Sequence, residues 1–360
     1  MPTYIAQITQ AEWESATAVN PLVLKAYDYP GADAGLKIAA AIAALPAGIG
    51  GLVDATKFGN PQNCTGFTIP PGVTVQLSPV LYTMQAAGPS IVINEGGRLI
   101  GAGSNNPGAT KIKASTNFNK PLIVCIAKSG ATGYWHGGLV QDLWLDGTKA
   151  SQTAGNALEV YSCAERSVIQ RLNISDAKQA GLFISGSQSG TGSMHNITTN
   201  TCGTYGVQLD QFRSAITLIC VGGDFNPVTF GITNPITGGG SILLIDPKSE
   251  AAGTGDTTAT PVIRITGGSA KVTLTIVGGN SLCPPGINKT LVELAADVGA
   301  HHTVQILGHF GGNTIPTLIN DLKDGHTVTC PGTTYHGMLA YDGGQASPLW
   351  TPFPGTYTLT

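Results

Sequence analysis

The sequence predicts an all-β protein built as one right-handed parallel β-helix, a single-stranded solenoid closed at its N-terminal end by a short helix. Three observations carry this expectation. Gly supplies 49 of 360 residues while charged side chains make up only 11%. That balance suits a long β-structure with many tight turns, in which Thr, Ser and Asn cover the outside and Val, Ile and Leu fill a narrow interior. From Gly51 onward, short apolar-alternating runs such as GLVDA, FTIPPGVTVQL, TKIKAS and LIVCIA are punctuated by Gly, Asn and Pro, and each is strand-sized. Finally, the chain repeats itself. Gly155 begins GNALEV, Gly181 begins GLFIS and Gly206 begins GVQLD, at spacings of 26 and 25, while Ile169 begins IQRLNIS and Met194 begins MHNITTN, again 25 apart. Two strands sharing one period are what successive coils produce, since each turn returns the chain to the same face about 4.8 Å further along. The Leu-and-Asn consensus of a leucine-rich repeat, which has a similar period, is missing.

Taken in order, residues 1–30 read as an N-terminal arm of mixed composition. The helix is expected over Asp33 to Leu45, with Leu36, Ile38, Ile42 and Leu45 as its apolar stripe, Asp33 as N-cap and Pro46 just beyond. Laid across the first coil, it would cover both the open apolar bore and the unpaired strand edges. The β-helix is assigned to 31–330, since strand-like runs (VIRITG, VTLTIVGG, LVELAA, TVQILGHF) resume after the Gly-rich stretch that follows Gly222. Residues 331–360, with Trp350 and four prolines, read as a C-terminal cap or tail.

The run YDYPGADAGLKIAAAIAALPAGIGGLVDATKFG, followed by TIPPGVTVQL and INEGGRLIGAG, resembles the N-terminal portion of pectate-lyase-like right-handed β-helix proteins. In that superfamily an acidic Gly-Asp segment leads into a capping helix, a Gly-Gly strand, a Pro-Pro-Gly turn and a Gly-x-Gly coil. LVQDLWLDG, SVIQRLNIS and GLFISG resemble its coil repeats, so the likeness covers roughly residues 25 to 220 and concerns the fold. It implies a carbohydrate-active protein, a polysaccharide lyase or glycoside hydrolase working in a groove along the coils. The alternative is a non-catalytic β-helix, structural or glycan-binding, of a cell surface or phage tail. The family's motifs are not carried over. The polygalacturonase set is absent, LGHFGG at 307–312 is at most a fragment of it, and His309 reads as a structural residue. DLWLDG has Gly147 where the lyase strand has His.

Composition narrows the partners. A net charge of -3 without any cluster of Lys and Arg argues against nucleic acid, and no apolar run reaches the roughly 18 residues of a membrane helix. The first twenty residues lack the basic and apolar regions of a signal peptide. The expected partner is a polysaccharide or cell-surface glycan, at an extracellular, cell or virion surface. A homotrimer is left open, with no coiled-coil pattern to specify it. Seven cysteines without a CxxC pair or a His at ligand spacing make zinc unlikely. Most of them read as small buried hydrophobes. No cofactor is implied, and nothing indicates calcium.

The repeat also suggests a site. If Leu158, Ile184 and Leu209 point inward, alternation puts Ala157, Phe183 and Gln208 in one outward column and Glu159, Ser185 and Asp210 in a second. Glu159 and Asp210 would then lie two coils, about 10 Å, apart, near the upper separation used by inverting glycosidases. They are the candidate catalytic pair, and Phe183 between them is placed to stack on a sugar ring. Arg171, His195 and Arg213 fall in neighbouring strands or turns as candidate saccharide contacts. Tyr134, Trp135, His136 and Trp144 cluster around a Gly-bounded loop that serves either as a stacking platform, with Trp135 as substrate contact, or as a plug beneath the loop. The alternative for all of these is ordinary solvated surface.

Overall fold

The structure, a computed structural model, describes residues 22–105, 107–130, 133–186, 192–212, 215–236, 239–250, 261–282, 290–295 and 302–308, together with the strand segments 310–311, 317–321, 327–329, 338–342, 345–348 and 356–358. Apart from two pairings at the C-terminal end, every strand pairing among them is parallel, in one sheet of 19 strands and a second of 12. Joined through short turns, parallel strands take the right-handed sense, and the protein is a right-handed parallel β-helix. Among the described residues, 6% are helical.

One coil shows how the sequence builds the rest. Leu158–Tyr161 lies in the second sheet, the chain turns, Val168–Ser175 runs along the first sheet, and a further turn returns it to Leu182–Ser185. Alternation sends every other side chain into the bore, where identical positions of successive coils stack. Leu158, Leu182, Val207, Phe230, Ile263 and Val292 form one such column. Val160, Ile184, Leu209, Ile232, Ile265 and Leu294 form the next. Opposite them, Val140, Ile169, Met194, Leu218, Leu244, Ile276 and Ile306 line the first sheet, and all of these are buried.

These ladders correct the register inferred from the sequence. Leu158 pairs with Leu182 and not with Ile184, so Gly155 lies two residues out of step with Gly181. Ala157, expected outside, is buried. The outward columns are Glu159–Phe183–Gln208 and Tyr161–Ser185–Asp210.

The helix spans Ala34–Ala43, with Asp33 as N-cap. One Asp33 carboxylate oxygen accepts from Leu36 N–H at 2.9 Å. The other accepts from the Thr65 N–H at 3.1 Å and the Thr65 hydroxyl at 2.7 Å, which ties the helix to the coils beneath it. Its buried face is Ala34, Ile38 and Ala41, with Ile42 and Leu45 packed at the margin, and Leu36 is exposed. Small alanines on the inner face let the helix lie close to the strands. A Cβ on Gly35 would sit 1.7 Å from the Thr65 carbonyl oxygen. Val23–Lys25 pairs with Gly51–Ala55 as the outermost strand of the first sheet, so residues from 23 onward belong to the stack. At the other end, Gln345–Pro348 and Thr356–Thr358 pair antiparallel with Met338–Asp342 and Thr327–Thr329.

The cysteines Cys64, Cys125, Cys163 and Cys202 are buried and unpaired by disulfides. Burial pushes the thiols of Cys163 and Cys202 up to about 12, so they pack as hydrophobes. Cys220 differs, being exposed. Cys283 and Cys330 lie outside the described residues.

Candidate functional site

Glu159 and Asp210 both project from the outer face of the second sheet, two coils apart, but from neighbouring columns. Phe183 therefore sits between Glu159 and Gln208, and Ser185 between Tyr161 and Asp210. Ser185 stands in an outward column, as expected, and is nonetheless buried. A groove of about 410 Å³ opens along this face, lined by Asn156, Glu159, Tyr161, Gln179, Phe183, Thr204, Tyr205 and Gln208. The strands supply Glu159, Tyr161, Phe183 and Gln208, while the turns leading into them supply Asn156, Gln179 and Thr204 as a wall.

Within the groove, polar groups are held in place by one another. Glu159 accepts from Tyr161 O–H at 2.9 Å on one carboxylate oxygen and from Asn156 N–H at 2.8 Å on the other. Asn156 in turn accepts from the Ala180 N–H at 2.8 Å, which anchors it to the next coil. Burial pushes the Tyr161 phenol up, and the charges of Glu159 and Asp210 act in the same direction, so Tyr161 stays a protonated donor. Its ring meets Phe183 edge-on, with centroids 6.2 Å apart, a favourable aromatic geometry. Asp210 accepts from Thr233 O–H at 2.7 Å and Asn234 N–H at 3.2 Å. Gln208 donates to the Thr233 hydroxyl oxygen at 3.1 Å. Among the described residues, no Lys, Arg or His lines this groove. Farther along its column, Arg264 lies two coils past Gln208 and is paired with Glu293 at 2.8 Å.

The other sequence-derived candidates lie elsewhere. Trp135 is wholly buried, and its indole N–H donates to the Asn94 carbonyl at 3.2 Å. It is the plug beneath the loop, and the sugar contact assigned to it is withdrawn. His195 lies on the outer face of the first sheet, in the column Gln141–Gln170–His195–Ile219, away from Glu159. Arg171 is also on the first sheet, forked onto Asp142 with N–O distances of 2.7 and 2.8 Å. Arg213 and His309 lie outside the described residues. Trp144 is half-buried, with Lys111 stacked 3.9 Å from its ring centroid and its N–H on the Ser175 hydroxyl at 3.0 Å.

A larger groove, of about 780 Å³, lies on the first sheet at the bend of its long strands, between the loop around Ser104 and Asn105 and the row Asp142, Arg171, Asn196 and Cys220. Sequence reasoning missed it, although its signal is present. Each long strand carries one residue that skips the ladder, and Asp and Asn, two of the four, favour the left-handed backbone that such a corner requires. Among the described residues no group of three or more His, Cys, Asp or Glu side chains could hold a metal ion, and no helix is long and apolar enough to cross a membrane.

No family model matches the sequence, and no curated protein matches it. Among solved structures, the ORF18 protein of Geobacillus virus E2 superposes with a TM-score of 0.53 at 16% identity, covering 89% of this chain. At the level of fold the chain is a parallel β-helix. The chain spans 59% of the length of the viral protein. Lower superpositions are found with the A-module of the mannuronan C-5 epimerase AlgE4 of Azotobacter vinelandii (TM-score 0.40, 14% identity, 89% of this chain and 100% of that one). Another is the family 28 exopolygalacturonase of Yersinia enterocolitica (TM-score 0.42, 10% identity, 92% and 77%).

Proposed function

We propose that the protein binds a polysaccharide along the outer face of the second sheet, with the ligand lying across Glu159, Tyr161, Phe183 and Gln208. The observation that carries this reading is the composition of the groove. Phe183 and Tyr205 offer apolar ring surface of the kind sugars stack on, next to the acceptors and donors of Glu159, Gln208, Asn156 and Gln179, in a trough that follows the solenoid axis. Coils recur every ~4.8 Å, close to the advance per ring of an extended glycan, so the stacked positions Glu159, Phe183 and Gln208 meet successive sugars. With Glu159 inside and no Lys, Arg or His among the described residues that line the groove, the ligand that fits is a neutral or amino sugar. A uronate would bring its carboxylate against Glu159. The location that goes with this function is an extracellular or virion surface, where such glycans are met.

Glycoside hydrolysis is the second reading. It is favoured by the placement of Glu159 and Asp210 on one outer face two coils apart, with the charge of both acting on the Tyr161 phenol. A lyase reading has less support, because none of the described residues lining the groove is a Lys or Arg that could act as base.

The test is binding and turnover on immobilised dextran, galactomannan, chitosan and polygalacturonate. Retention on a neutral or amino polysaccharide, weakened at least tenfold in Phe183→Ala, is the expected result. Retention on none of the four, or on polygalacturonate alone, would overturn the reading. Release of reducing ends that stops in both Glu159→Gln and Asp210→Asn would establish hydrolysis in addition.

A further inference from the structure

We propose that the groove at the bend of the first sheet is a second, separate binding site, for a neutral, hydroxyl-rich chain lying along the solenoid axis. Its floor is a row of corners and its wall a fastened loop. Where the strands Leu139–Asp146, Val168–Ser175, Ser193–Asn200 and Ala215–Asp224 bend, one residue in each leaves the ladder and adopts a left-handed backbone. These are Asp142 (φ 59°), Arg171 (φ 52°), Asn196 (φ 55°) and Cys220 (φ 50°). Asn and Asp tolerate that conformation, and Gly would be easier still. Arg and Cys carry a conformational cost there. Arg171 spends two of its five N–H donors on Asp142 one coil away and lines the groove with the rest of the guanidinium.

The wall is built as well. In the preceding coil the corner residue is replaced by a loop between Arg98–Ile100 and Thr110–Ala114. The N–H groups of Gly101 and Gly103 bond to the carbonyls of Gln141 and Asp142 at 3.0 and 3.1 Å. That fastening leaves Ser104 and Asn105 overhanging the row of corners. On the floor, Asn173 accepts from Asn200 N–H at 3.2 Å and reaches Asn105 at 3.5 Å. Thr198 stands beside Asn173 in the ladder and is exposed.

The chemistry of this surface selects its ligand. Arg171 and Asp142 neutralise each other, so the groove carries no net charge to attract a polyanion or polycation. Amide groups and hydroxyls, each able to donate and accept, recur from coil to coil, and they match hydroxyl groups repeated along a chain. Trp144, in the same column as Asn173, has one face already covered by Lys111. Recognition here therefore rests on hydrogen bonds, whereas the groove of the second sheet combines them with ring stacking.

The experiment uses maltohexaose, cellohexaose and mannohexaose as probes, titrated calorimetrically into the full chain carrying Phe183→Ala and Glu159→Gln, which silence the groove of the second sheet. Saturable binding of at least one hexaose should remain. It should weaken at least tenfold when Asn173→Ala and Asn200→Ala are added, with the circular dichroism spectrum and melting temperature of both proteins checked to match. No binding of any hexaose to the silenced protein, or binding unaffected by the two asparagine replacements, would overturn the proposal. Binding in the silenced protein but no effect of Phe183→Ala in the parent would leave this site standing and remove the one on the second sheet.

Discussion

Replacing Trp135 with Ala separates a structural aromatic from a ligand-binding one. The indole is fully buried, and a Cβ on Gly138 would come within 2.3 Å of its ring, so the surrounding chain is moulded to it. Truncating a buried Trp to Ala costs about 3–5 kcal/mol through lost burial and the cavity left behind. The indole hydrogen bond to Asn94 adds little to that sum. The Asn94 carbonyl also accepts from Gly97 N–H at 2.9 Å and keeps a partner, so about 1 kcal/mol is at stake. A loss of about 4–5 kcal/mol is a large part of the ~5–15 kcal/mol that holds a typical domain. It should lower the melting temperature by roughly 10 °C or more, at about 2–4 °C per kcal/mol for a large domain. Thermal melts followed by circular dichroism, paired with glycan retention below the melt, provide the assay. A melting temperature within two degrees of the parent combined with lost retention would show that Trp135 acts on ligand, and the burial argument would be wrong.

Three further outcomes are expected. Tyr82, buried beside Ser78, has its phenol pushed up to about 12 by burial, whereas an unfolded tyrosine ionises near 10. The folded value is the higher one, so this term leaves stability untouched below pH ~10 and removes about 1.4 kcal/mol per unit as pH climbs from there towards 12; absorbance of tyrosinate should lag for at least two rings, Tyr82 and Tyr161, until the coils open, and a titration of every ring at 10 would contradict it. Asn226, buried, accepts from Cys202 N–H at 2.9 Å and donates to the Thr199 carbonyl and hydroxyl oxygens at 2.9 and 3.1 Å, so Asn226→Ala should cost about 2–4 kcal/mol in guanidinium unfolding, and a cost under 0.5 kcal/mol would refute the network. Asp33→Ala should destabilise by about 2 kcal/mol, more than an ordinary cap, because it also releases Thr65; Asp33→Asn, which keeps one acceptor, should recover about half, and equal losses in the two variants would show that the tie to Thr65 contributes nothing.

The fold was legible because its period is written twice in the chain, once around Gly155, Gly181 and Gly206 and once around Ile169 and Met194, and only a stacked solenoid gives two strands one period. The helix was legible through Asp33 as N-cap, although its inner face is set by alanines that pack close to the strands and not by the larger Leu36. The register was harder. Gly181 and Gly206 are in step, but Gly155 precedes its strand by two more residues, and a shift of two keeps every side chain on its own face while moving it to another column. Hence Glu159 and Asp210 do face outward as expected, yet Phe183 does not lie between them. Trp135 was ambiguous for a different reason. A Gly-bounded aromatic loop looks alike in sequence whether its ring points to water or to the bore. The corner groove left only the skipped residues Asp142, Arg171 and Asn196 as its trace, because its far wall comes from a loop more than thirty positions upstream.

The corner at Gly101 shows where this architecture can grow. The loop there replaces a single residue, yet Arg98–Ile100 still pairs with Leu139–Gln141 and Thr110–Lys113 with Leu143–Asp146. Chain length was added with no change in the pairing on either side. Corners of this kind are ports through which a solenoid can acquire new loops, and so new specificities, while its ladders and its bore remain as they were.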